Sequence, residues 1–262
     1  MKEPIKITIF QAYVFWENVE KNLQNLALRL SSLKEKTDLI ILPEMFNTGF
    51  TLNVESCAED MQGPTMEWLF KMAQKFDCKV AGSLIVKEGG QYYNRFVWMS
   101  PDGYYDYYDK RHLMALIGED KLFQAGSKRI VTEIKGWKIC PMIGNDLRYP
   151  VWSRNTGSMY DIVVYGSAWP DSRSLHWRTL IPARALENNA YAIGVNRVGY
   201  DGNEVYYSGG SMCISPTAGV VYYKPEDEDL YTFTLNPQDL ENERKQMEGI
   251  ASEGDAFDLS VE

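Results

Sequence analysis

The chain has 262 residues, 45% of them hydrophobic, and a formal net charge of −9. A chain this long buries roughly 75% of its unfolded surface, so its core needs no disulfide support. The acidic balance argues against a phosphate-backbone partner, which calls for a basic surface, and the apolar runs are shorter than the ~20 residues of a membrane helix.

Ile5 to Phe10 alternates and then runs apolar, which predicts a strand. Val19, Leu23, Leu26, Leu30 and Leu33 follow at helical spacing, with Glu17-Asn18 at the start. Asp38 to Pro43 reads as a buried strand ended by proline. Met66, Leu69, Phe70, Ala73 and Phe76 mark a second helix, with Pro64 near its first turn. Strands are predicted at 78–86, 92–99 and 104–109, the last two joined by the turn Pro101-Asp102-Gly103. The second half repeats this grammar, with strands at 130–134, 137–143 and 162–165 and a short helix from Pro150. A helix fits 174–188, where Pro182 should kink it or cost roughly 3 kcal/mol. Strands at 190–195, 210–214, 220–223 and 230–235 complete the set, and 238–262 reads as an acidic, partly extended tail. Two blocks of strands and helices without a linker predict one α/β domain over 1–262, with two sheets covered by outer helices. The cysteines Cys57, Cys78, Cys140 and Cys213 show no CxxC pairing, and the N-terminus enters a strand without an apolar leader. Free thiols and a cytoplasmic location are expected.

Four segments place polar residues at the edges of apolar strands, where an α/β site would form. Glu44 follows a buried strand between apolar neighbours, a setting that raises a carboxyl pKa toward that of a general base. Lys110, in Tyr108 to Leu113, is placed to bring an ammonium to a developing oxyanion, with Glu119 downstream. In Ile143 to Pro150, Gly144 permits the positive φ of a tight elbow, and Asp146 and Arg148 are placed to pair. The fourth segment runs from Trp169 through His176 and Arg184-Glu187 to Asn196-Arg197 and Asn203. Trp169 is suited to wall a pocket, and Arg184 and Glu187 share a helix face for a structural ion pair. Taken singly, the Glu44 and Lys110 segments read first as solvated strand ends. Their order along one chain is what carries information.

Together these segments resemble the nitrilase superfamily of carbon–nitrogen hydrolases, and its omega-amidase branch in particular. The resemblance runs from about residue 5 to residue 235 and implies an αββα sandwich, usually dimerised through helical faces. It implies that Glu44 is the base, Lys110 an oxyanion partner, Glu119 the second glutamate and Asn145 the backbone N–H donor. It implies no metal or organic cofactor, and a terminal amide of a small dicarboxylic acid monoamide as substrate. Phe50, Arg148, Trp169 and Arg173 are the expected pocket residues, the arginines for a free carboxylate.

One departure is decisive for chemistry. In the family, the position of Gly144 carries the cysteine that attacks the amide carbonyl. Cys140 lies four residues earlier in the strand, about 13 Å away at ~3.3 Å per residue, and cannot replace it. Ser215, where the family often has Asp, also departs from pattern. Three readings stand. The nucleophile has been removed from an amidase, or the pocket persists in a non-catalytic binding protein, or Glu44 activates water directly. The first is preferred, because the base, the lysine and the second glutamate all remain.

Overall fold

The computed structural model describes residues 1–246. The first half comprises β1 (Ile5–Gln11), α1 (Val19–Leu30), β2 (Leu39–Ile41), α2 (Val54–Cys57), α3 (Pro64–Phe76), β3 (Lys79–Glu88), β4 (Gln91–Met99) and β5 (Tyr105–Asp109). The second half comprises α4 (Glu119–Leu122), β6 (Thr132–Ile134), β7 (Trp137–Ile143), α5 (Pro150–Ser153), β8 (Ile162–Gly166) and α6 (Ser174–Asn188). It continues through β9 (Tyr191–Val195), β10 (Val198–Tyr200), β11 (Tyr206–Ile214), β12 (Val220–Pro225), β13 (Asp229–Leu235) and α7 (Pro237–Gln246).

Two sheets result. The six-stranded sheet has the order β13-β1-β2-β3-β4-β5, and the seven-stranded sheet runs β10-β11-β9-β8-β7-β6 with β12 on β11. The strand alternation fixes how they stack. Ile5, Ile7, Ile9, Leu39 and Ile41 point into the core shared with Ile139, Val163 and Ile193 of the second sheet. Phe10, Ile40 and Leu42 point the other way, onto Leu23, Leu26 and Leu30 of α1 and Met66 and Leu69 of α3. On the far side, Trp177, Ile181 and Ala185 of α6 join the core of the second sheet. The order is therefore helix, sheet, sheet, helix, the αββα sandwich expected. Asn18 caps α1 by accepting from the Lys21 N–H at 3.1 Å.

Helix α6 spans Ser174–Asn188, the range expected, with Pro182 inside it. One sequence expectation needs correction. The start of the supposed extended tail is helical. In α7, Leu240 is buried and Arg244 donates to Asp161 at 2.9 Å. The remainder of the expected tail, 247–262, lies outside the described residues. Ser215 closes a turn, its hydroxyl accepting from the Gly219 N–H at 3.1 Å.

The sheets approach closely at the end of β8. A Cβ on Gly166 would lie 2.3 Å from Cε2 of Phe96, a buried residue of β4. Gly166→Ala is expected to destabilise the fold by about 1–3 kcal/mol through overpacking. A urea midpoint equal to that of the parent chain would contradict this inter-sheet contact.

Candidate active site

Two strand ends and a helix start bring the charged residues together. Glu44 follows β2, Lys110 follows β5, and Glu119 opens α4. All three are buried, with relative exposures of 2%, 1% and 0%. Lys110 Nζ donates to Glu44 Oε1 at 2.9 Å and to Glu119 Oε1 at 2.8 Å. Asn94 Nδ2 donates to Glu44 Oε1 at 2.8 Å, and the Ala168 N–H donates to Glu44 Oε2 at 2.9 Å. Glu119 Oε2 accepts from the Met114 N–H at 2.6 Å, which closes the loop between Lys110 and α4.

One ammonium thus faces two carboxylates. Burial raises the Glu44 carboxyl pKa above its ordinary range; Lys110 opposes that shift and Glu119 adds to it. Burial alone would lower the Lys110 pKa, but Glu119 and Glu44 reverse the direction and keep the amine protonated. The two raised values are compatible. The lysine holds its charge, and the surplus proton affinity of the cluster falls on Glu44.

Gly144 directly follows β7, in the left-handed region at φ +44°. The site there is not open space. A Cβ at Gly144 would lie 2.5 Å from Glu44 Oε2 and 3.1 Å from Glu44 Cδ, so the carboxylate rests against the elbow backbone. Asn145 lines the same cavity, and its side chain donates to the His112 carbonyl at 3.2 Å.

The elbow is pinned from behind. Asp146 is fully buried. Its Oδ2 accepts from Tyr108 Oη at 2.7 Å and the Ile143 N–H at 3.0 Å. Its Oδ1 faces the His112 N–H at 2.9 Å and His112 Nδ1 at 2.8 Å. With these partners Asp146 does not pair with Arg148, contrary to the sequence expectation. Arg148 instead donates to His176 Nδ1 at 3.1 Å and lies 4.7 Å above the Trp169 ring. The Arg184–Glu187 pair forms at 2.8 Å, and Arg184 also donates to the Leu147 carbonyl at 3.1 and 2.6 Å. That pair is structural, as its spacing suggested, and it ties α6 to the elbow.

Glu44, Lys110, Gly144 and Asn145 open into a cavity of about 650 Å³. Phe50, Arg148, Trp169 and Arg173 line it, and the Phe50 ring lies 5.1 Å from Lys110 Nζ. Glu119 supports Lys110 from behind without lining the cavity. Arg173 Nη1 contacts Met114 Sδ at 3.4 Å. Among the described residues, neither Arg148 nor Arg173 has a carboxylate partner. Burial, and then the charge of Arg173, lower the pKa of Arg148. No group of three or more metal-ligating side chains occurs among the described residues.

Sequence reasoning missed Asn94, Trp16 and Tyr207. Asn94 was detectable as the one amide in the buried half of β4. Trp16 and Tyr207 line the cavity from loop and strand positions far apart in the chain, and only the fold brings them together.

Two stacked sheets covered by outer helices form the architecture of the nitrilase superfamily. A CN-hydrolase superfamily protein of Xanthomonas campestris, solved with an arsenic adduct in its active site, superposes with a TM-score of 0.93 at 34% identity, covering 98% of this chain and 99% of that one. The chain belongs to the carbon–nitrogen hydrolase family, whose model matches residues 6–245. The omega-amidase YafV of Escherichia coli K12 is 39% identical over 218 residues, 83% of this chain and 84% of that protein. A 2-oxoglutaramate amidase of Bacillus subtilis is 27% identical over 237 residues, 89% of this chain and 91% of that protein.

The four thiols are all buried, and none lines the cavity. Burial pushes Cys57 up to about 11 and Cys78 and Cys140 up to about 12, and raises Cys213 further. Iodoacetamide at pH 8 is expected to leave all four unmodified in the folded chain, because the thiolate is the reactive form. Mass spectrometry showing fast labelling of one thiol would contradict this placement.

Proposed function

We propose that the chain is a single-domain carbon–nitrogen hydrolase of the omega-amidase type, with a pocket for small dicarboxylic acid monoamides. The observation that carries this reading is the buried Glu44–Lys110–Glu119 cluster at the floor of a cavity with two arginines on its wall. In the proposed scheme Glu44 is the base. Lys110 and the Asn145 backbone N–H face the developing oxyanion, and Glu119 holds Lys110 charged and oriented. Arg148 and Arg173 take the free carboxylate, with Phe50 and Trp169 packing on the carbon chain. The relatives named omega-amidase and 2-oxoglutaramate amidase support this substrate class.

Gly144 removes the covalent step from this scheme. Loss of such a nucleophile costs several orders of magnitude in rate. A second reading, a binding protein without turnover, draws support from the Glu44 carboxylate resting where a Cβ would need room. Both readings require the pocket to recognise the same ligands.

Four buried unpaired thiols support a reducing, cytoplasmic setting. Exposed Val151, Leu175 and Leu186 on the α5 and α6 surface support a homodimer through that face.

Gly144→Cys is expected to create ammonia release from keto-acid monoamides, roughly 10³-fold or more above the parent chain. Glu44 must swing away from the elbow and release the Ala168 N–H for this to occur. A folded Gly144→Cys protein that binds these amides without turnover would favour the binding-protein reading. Arg148→Ala and Arg173→Ala should each weaken calorimetric binding of a carboxylate-bearing amide about 10-fold or more, given roughly 1.5–3 kcal/mol for a charged hydrogen bond. Neutral amides should bind equally to all three proteins; an equal loss for both ligand classes would remove the arginines from carboxylate recognition.

A further inference from the structure

The elbow of this chain does more than lack a thiol. Glu44 Oε2 lies 2.5 Å from the point a Cβ would occupy, so the carboxylate occupies the ground in front of Gly144. In the structure that oxygen accepts one hydrogen bond, from the Ala168 N–H at 2.9 Å, while Oε1 takes both Lys110 and Asn94. Oε2 therefore retains acceptor capacity at the edge of a cavity that Glu44 itself lines. The other acids on the cavity wall are committed elsewhere. Glu17 accepts from Thr51 and Asn53, and Asp201 accepts from Tyr207 Oη and from the N–H groups of Asn203 and Val205.

We propose that Glu44 acts in this chain as a base toward water, and that the pocket hydrolyses activated aryl monoesters of small dicarboxylic acids by a single displacement. The inference rests on the pocket assignment made above, because the free carboxylate must be held for the ester to reach Glu44. A water O–H gives its proton to Glu44 Oε2 while its oxygen bonds to the acyl carbon. The carbonyl electron pair moves onto its oxygen, facing the Lys110 ammonium. Collapse restores the carbonyl and breaks the bond to the aryl oxygen, which departs as phenolate with the bonding pair. Glu44 then returns its proton to solvent. The products are the diacid and a phenolate, and no acyl group is carried by the protein. An aryl ester suits this site better than an amide, because a phenolate leaves without a proton whereas an amide nitrogen needs one.

The groups facing Glu44 set the pH dependence. They are Lys110 and Glu119, with Tyr207 across the cavity, neutral Asn94 and the Ala168 N–H. The ionised carboxylate is the active form, so the rate rises with pH as Glu44 loses its proton. That acid limb lies above the ordinary glutamate range because burial raises this pKa.

The test uses the full chain and mono-p-nitrophenyl esters of small dicarboxylic acids, each corrected for its own rate in buffer. The expected result is a saturable release of p-nitrophenolate roughly 10³-fold above buffer, the level left by pocket and electrostatics when a nucleophile is absent. It should survive iodoacetamide and fall at least 10-fold in Glu44→Gln. Calorimetric binding of the free diacid by Glu44→Gln shows that the variant still folds and keeps its pocket. Binding of the diacid without Glu44-dependent release would overturn this inference and leave the pocket assignment standing. Release undiminished in a folded Glu44→Gln would overturn it by assigning the base elsewhere. No binding of any diacid to the parent chain would overturn both.

Discussion

The position of Lys110 between two buried carboxylates is the contact around which the site is organised. Each ion loses its hydration on burial, a cost of several kcal/mol per charge that only close, well-directed partners offset. Nζ meets both carboxylates within 2.9 Å, which keeps the ammonium charged inside the protein. Removing one partner of such a group commonly costs about 3–5 kcal/mol. The ends of β2 and β5 and the start of α4 must therefore converge for the fold to be stable at this point. The same burial leaves Glu44 with a raised proton affinity, which Lys110 opposes and Glu119 reinforces. Stability and acid–base capacity have one physical origin here.

A second layer keeps the elbow in register with that cluster. Asp146 joins the end of β7 to Tyr108 of β5 and to the loop at His112, which follows Lys110 closely in sequence. Arg184 adds α6 by donating to the Leu147 carbonyl. His112 stacks on Tyr149 with ring centroids 3.6 Å apart, which commits the imidazole to the scaffold. The left-handed backbone at Gly144 is held by neighbours on both sides. Glycine is comfortable there, whereas an L side chain would need this support to hold the same φ.

The pocket wall obeys a different rule. Arg148 is fixed by His176 and by the face of Trp169, and Trp169 is fixed by donating from Nε1 to the Arg173 carbonyl at 2.8 Å. These contacts orient the guanidinium groups without neutralising them. Two cations on one cavity wall repel each other, and an anionic ligand relieves that repulsion. The net charge of −9 for the whole chain gives no hint of this local reversal of sign.

Alternation and helical spacing predicted β1, α1 and α3, and a helix was expected over 174–188, where α6 forms. Those features depend on local geometry, in which side chains repeat every second residue in strands and about every 3.6 in helices. The family resemblance singled out Glu44, Lys110, Glu119 and Gly144, and the structure brings these positions together. What the linear order left open was which acceptor each donor would choose. Arg148 passed over Asp146 because Tyr108 and His112 had already filled it, and Asn94 reached Glu44 from the middle of another strand. The acidic segment after β13 became helical as far as Gln246, with Leu240 buried and Arg244 paired to Asp161. The spot before Gly144 proved to be held by the Glu44 carboxylate. Hydrogen-bond partners and the filling of space depend on groups distant in the chain, so only the packed structure could decide them.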